Sequence, residues 1–149
     1  MRRLVLAPWL LLAACAPPDD RDLLARIRDD DYRGWARAPE WPDPLLPAAG
    51  GPHGSYLDIF VNDVLADAVA SGAPLDAWPE GSIVATDAFG DDAGEHLRFI
   101  AVMEKTEGAW FWAEYGDDGE PDYAGVDEPT CTRCHDAGAD GVLAFVLPE

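Results

Sequence analysis

The chain has 149 residues, enough for one domain with a sizeable core and not comfortably for two. Its 29 Asp and Glu against 10 Lys and Arg give a formal charge of −19 at pH 7, which argues against nucleic acid and anionic lipid heads as partners. The acids are spread along the chain rather than clustered, the pattern of a solvated surface more than of a docking site for a basic protein.

In chain order, MRRLVLAPWLLLAAC comes first. Arg2 and Arg3 precede an apolar run, Leu4 to Leu12, that is too short to span a bilayer, and Ala13-Ala14 supplies small residues for cleavage. Residues 1–14 therefore read as an export signal. LAAC also resembles the lipobox of bacterial lipoproteins, in which Cys15 receives the lipid and becomes the new N-terminus. The expected location is the bacterial cell envelope, with the membrane as partner through the lipid alone. Removing residues 1–14 takes away two arginines and no acids, which lowers the formal charge from −19 to −21 and leaves 135 residues.

Residues 15–34 then form the lipidated cysteine, a polar tether and a short helix, in which Leu23, Leu24 and Ile27 recur at helical spacing after Asp19 or Asp20 as cap. The remainder, 35–149, is one domain. Five prolines in 38–54 predict irregular chain, with Trp35, Trp41, Leu45 and Leu46 as apolar pins. Tyr56 to Val61 reads as a strand. NDVLADAVASG reads as a helix capped by Asn62 or Asp63, burying Val64, Leu65, Ala68 and Val69, and stopped by Gly72. SIVATDAF, HLRFIAVMEK and AWFWAEY read as three further strands, the first two joined by the loop GDDAGE and the last two by a tight turn at TEG. GDDGEPDYAG reads as loop, its acids lacking the alternation of a calcium site, and VLAFVL as a closing strand. The fold class expected is α+β: a mainly antiparallel sheet packed with a few short helices.

The chemistry concentrates in CTRCH, Cys131 to His135. With Cys15 lipidated, Cys131 and Cys134 are the only thiols left, so one site and no disulfide framework is expected. A closed zinc site needs four ligands, and these residues offer three at most, leaving distant His53 or His96 to complete the set. A redox disulfide of the thioredoxin kind needs the pair to open a helix in a βαβ setting, whereas these surroundings read as loop. Covalent haem c uses all three residues, Cys131 and Cys134 as thioether attachments and His135 as axial ligand of the iron. That is the reading preferred. No methionine follows His135, Met103 lies upstream on a strand, and His53 and His96 read as turn or solvated residues, so an open sixth position on the iron is expected.

HGSYLDIFVND, WPEGSIVATDAF, FIAVMEK, WFWAEY and CTRCH with DGVLAFV resemble, in order and spacing, the successive blocks of the cytochrome P-460 family across residues 35–147. The resemblance implies a mainly antiparallel sheet, one haem c near the C-terminus and a homodimer. It also implies activity on hydroxylamine or nitric oxide, or, as in the related cytochromes c′-β, binding of nitric oxide and carbon monoxide. Two departures favour binding. Thr86 matches the lysine that oxidising members cross-link to the porphyrin, and Ala101 falls near their proton-transferring glutamate. Glu104 faces away from Ala101 by strand alternation, and Lys105 is expected to pair with Glu104 or Glu107. Alternation also puts Leu97, Phe99, Ala101 and Met103 on one face of their strand and Val84, Thr86 and Ala88 on one face of theirs. The pocket expected from Val84, Thr86, Phe99, Ala101 and Met103 is apolar with one hydroxyl, suited to a small neutral ligand. An oxidoreductase acting on small nitrogen compounds through some other base, and a simple electron carrier docking a redox partner protein, are the rival readings.

Overall fold

The computed structural model describes residues 20–48 and 51–149. The export signal, Cys15, the tether and the Asp19 cap lie outside the described residues. Among the described residues no helix is long and apolar enough to cross a membrane.

Helix α1, Asp20–Asp29, buries Leu23, Leu24 and Ile27 as its spacing predicts. A 3₁₀ turn, Tyr32–Gly34, leads into strands β1, Ala36–Arg37, and β2, Leu46–Pro47. Both pair antiparallel with β3, Tyr56–Val61, and β2 gives the proline-rich segment 38–54 one short strand where irregular chain was expected. Pro47 is tolerated because β2 is an edge strand and needs no donor on its outer side. Helix α2, Asp63–Ser71, starts where the Asn62 carboxamide accepts from the Leu65 N–H and stops at the left-handed Gly72. It buries Leu65, leaves Ala68 and Val69 only partly buried and Val64 41% exposed, its packed side running through Leu65, Ala66 and Val69.

Strands β4, Ile83–Phe89, β5, Leu97–Thr106, and β6, Ala109–Tyr115, follow. Three expectations near the C-terminus fail. Pro121–Val126 is a strand, β7, with Pro121 at its first residue on the sheet edge, where a missing donor costs nothing. Residues 142–147 are not a strand. That short apolar run lies across the sheet, burying Val142 and Phe145 while Leu143 and Val146 stay exposed, and apolar runs of that length do not distinguish strand from buried loop. The cysteine motif itself is helical, α3 at Pro129–His135, not loop.

The seven strands form one antiparallel sheet in the order β1-β3-β4-β5-β6-β7, with β2 also on β3. The fold is α+β, as expected. Alternation splits the core in two. Phe60, Ile83, Ala85, Ile100, Val102, Phe111 and Tyr115 face α1 and Tyr32. Ile59, Val84, Phe99, Met103, Trp110 and Trp112 face α2, Trp78 and the C-terminal segment. Leu97 belongs to the first of these faces, not with Phe99. The register slips between Ala88 and Phe89, pairing Ala88 with Phe99 but Phe89 with Leu97, and that bulge reverses the alternation.

The helix-covered face is pinned by Asp87, 2% exposed, whose carboxylate accepts from Tyr32 Oη at 2.6 Å and Arg33 Nε at 2.6 Å. Asp87→Ala should lower the unfolding free energy by about 2 kcal/mol, chiefly by orphaning the buried Tyr32 hydroxyl. Urea denaturation checks this; a loss below about 0.5 kcal/mol, the range of a plain surface substitution, would show that the anchor is dispensable.

Candidate functional site

The face of the sheet away from α1 carries a cavity of about 410 Å³. Its floor follows from the strand register. Ile59 pairs with Thr86, Thr86 with Ala101, and Ala101 with Glu114, so one row across four strands holds two small residues side by side. The neighbouring row runs Val84, Met103, Trp112. Thr86 and Ala101 leave the volume that larger side chains would fill. Of the residues expected to form a pocket, Val84, Thr86, Ala101 and Met103 line the cavity. Phe99 does not. It lies in the same apolar cluster, with its ring 5.9 Å from that of His53.

Helix α3 forms one wall. Pro129 occupies its first turn, and the Glu128 carboxylate accepts from the Thr130 N–H at 3.0 Å. Cys131 and His135 line the cavity; Cys134 is exposed, one helical turn from Cys131. The opposite walls are Trp41, the His53 loop and residues Val142 to Ala144, tied together where Trp41 Nε1 donates to the Ala144 carbonyl at 3.0 Å.

His135 is fixed from both sides. The indole of Trp112 packs edge-on at 4.6 Å, and Nδ1 lies 2.8 Å from the Gly141 carbonyl oxygen. A carbonyl only accepts, so Nδ1 carries the proton and Nε2 keeps its lone pair. Burial lowers the His135 pKa, opposed by the Gly141 bond and Asp136, which keeps the ring neutral and fit to ligate.

The Cys131 thiol is pushed up to about 11 by burial and by Glu128 and Glu114. Such a thiol stays protonated at neutral pH, a poor zinc ligand and a poor redox nucleophile. Among the described residues no group of three His, Cys, Asp or Glu is arranged to hold a metal ion, and both thiols are free. The α3 helix meets one requirement of a redox pair, but it follows an antiparallel edge strand rather than a βαβ unit.

Three residues of the site escape sequence reasoning. Glu114 lines the cavity, and burial with nearby Asp122 raises its pKa against the opposing Arg98. The alternation that puts Trp110 and Trp112 on the face of β6 away from α1 puts Glu114 there too. His53, expected as a turn or solvated residue, lines the cavity with its ring 5.9 Å from that of His135. Its Nδ1 is buried without a hydrogen-bond partner, and burial, then His135, lowers its pKa. Neutral, it makes no ion pair with Glu114 at 3.9 Å. Trp112 Nε1, also buried, is a second orphaned polar atom in a residue lining this cavity. Lys105 pairs with Asp140 at 2.8 Å, not with Glu104 or Glu107, because its side chain points to the cavity face while Glu104 meets Arg26 on the other.

No protein-family description, curated protein or solved structure matches the chain.

The residues present fit a haem c. A neutral imidazole presents Nε2, a cysteine shares its wall, the lining is mostly apolar, and two buried polar atoms lack partners.

His53 and His135 both have lowered pKa values, so the folded haem-free chain prefers them uncharged. The stability this contributes is fully present above their unfolded-state pKa of about 6.5 and is lost as pH falls through the folded values. His53→Gln should therefore show a shallower loss of urea midpoint between about pH 7 and pH 5 than the parent chain. Equal slopes would remove His53 from the buried set.

Proposed function

We propose that this chain is an exported, lipid-anchored monohaem c-type cytochrome of the P-460 kind that binds a small neutral ligand such as nitric oxide. The observation that carries the reading is the hydrogen bond from His135 Nδ1 to Gly141, which leaves Nε2 free in an apolar cavity that Cys131 also lines. The antiparallel sheet, with CTRCH on a C-terminal helix at the face away from α1, agrees with the architecture that the resemblance implies.

A haem attached through Cys131 and Cys134, with His135 on its iron, supplies a metal that takes a diatomic ligand and exchanges one electron. The chain's own residues set the selectivity. Val84, Ala101 and Met103 offer no charge and no hydrogen bond to an ionic ligand, which favours a neutral one. Thr86 offers a single hydroxyl donor. The lipid on Cys15 keeps the domain at the envelope membrane, where it exchanges electrons with a redox partner protein, and the resemblance implies a homodimer.

Glu114 favours a second reading. A carboxyl with a raised pKa, paired across the strands with Ala101, is the proton acceptor that the sequence alone did not offer. With it, oxidation of hydroxylamine or nitric oxide becomes the alternative activity.

The optical spectrum of the haem-matured protein tests these readings. Five-coordinate high-spin bands that shift on adding nitric oxide or carbon monoxide are expected. Sharp low-spin ferrous bands would contradict an open iron, and their conversion to high spin in His53→Ala would assign His53 as sixth ligand. Turnover of hydroxylamine, lost in Glu114→Gln, would favour the enzyme. For the ligand-binding reading, Thr86→Val should speed nitric oxide dissociation roughly two- to tenfold, the worth of one hydrogen bond.

A further inference from the structure

The sole lysine of the chain, Lys105, is buried, 5% exposed, on the same face of the sheet as the cavity and paired across the strands with Trp110. Its Nζ donates to both Asp140 carboxylate oxygens, at 2.8 and 3.0 Å, and lies 5.2 Å from the centre of the Trp110 ring. A buried ion pair is a poor source of stability, since an apolar pair of the same volume would fill the space without desolvating two charges. What it offers instead is a fixed position.

The segment it fixes is the turn that follows α3. Asp140 Oδ2 also accepts from the Trp78 N–H at 2.8 Å, and the Asp140 carbonyl accepts from Trp110 Nε1 at 2.7 Å. Trp78 Nε1 donates to the Ala139 carbonyl at 3.2 Å. Asp140 and Gly141 both have left-handed backbone, φ 48° and 79°, a conformation that a non-glycine residue holds only where its surroundings over-determine it. At Gly141 a Cβ would come within 3.1 Å of the Trp110 ring. The next carbonyl along this turn, that of Gly141, lies 2.8 Å from His135 Nδ1.

We propose that Lys105 is a positioning residue: through Asp140 it holds the Gly141 carbonyl against His135 and thereby sets the tautomer and basicity of the imidazole facing the cavity. The consequence for iron rests on the haem reading above; the geometry does not. A carbonyl accepting from the far ring nitrogen makes the imidazole a stronger donor through Nε2, which strengthens its bond to iron and favours the ferric state. Without the ion pair the turn keeps its Trp78 and Trp110 bonds but loses the bidentate Lys105 anchor, and the ring regains the choice of which nitrogen is protonated.

Lys105→Met, Asp140→Asn and the double variant test this in the full chain, matured with haem and also made haem-free. The double variant removes both charges together and so leaves no unpaired ion buried, which keeps a folded sample in hand should either single variant fail. In the haem-matured protein each variant is expected to lower the ferrous iron–histidine stretching frequency in resonance Raman spectra and to raise the midpoint potential. The double variant should match the singles rather than add to them. In the haem-free chain, nitrogen-15 spectra of the imidazoles should show one Nδ1–H tautomer for His135 in the parent and a mixture in the variants. A merely structural role would change the urea midpoint and leave all three readouts in place; that result overturns the proposal. If the parent takes up no haem, the haem reading fails, and the tautomer spectra alone decide whether Lys105 positions His135.

Discussion

A neutral imidazole has one proton and two nitrogens, and at the half-buried His135 the Gly141 carbonyl, 2.8 Å away, claims the Nδ1 side. With that side taken, the lone pair on Nε2 is left for the cavity. The turn carrying Gly141 is held by Lys105, Trp78 and Trp110, from three separate parts of the chain, so the histidine is oriented by the tertiary fold and not by its own helix. A helix of seven residues has little stability of its own. It depends on the Glu128 cap and on packing against the sheet.

The cavity, in turn, comes from strand register. Two small residues, Thr86 and Ala101, stand side by side in a row whose neighbours are Ile59 and Glu114. Replacing either small side chain by a large one would fill the space that the register opens. The same rows place the orphaned Trp112 Nε1 and the half-buried Glu114 around that space. Polar groups left without partners in an otherwise close-packed core are what a site built around a further group leaves behind.

Much of this was legible in the sequence, and the failures have physical causes. The strands from Tyr56 to Tyr115 were readable because period-two alternation and glycine-rich turns agree there. The bulge at Leu97 was not, because a single extra residue leaves no mark on composition and reverses one side chain. Strand β7 was hidden by Pro, Asp and Gly, residues that an edge position tolerates and a central one does not. VLAFVL misled in the other direction, since burial on the sheet's face suits an apolar run as well as pairing does. At the site, the motif residues identified themselves by spacing. His53 and Glu114 did not, because each reaches the cavity through long-range contacts: a turn next to β3 in one case, a cross-strand pair in the other. Lys105 was assigned sequence neighbours, whereas its partner is 35 positions away.

The central claim is that Cys131 and Cys134 are attachment points and His135 an axial ligand. Peptide mass spectrometry of the protein produced with haem-maturation machinery tests it most directly. The account predicts one haem added to the peptide spanning residues 129–136, with neither thiol available to an alkylating reagent. Two freely alkylated cysteines and a peptide of unmodified mass would contradict it.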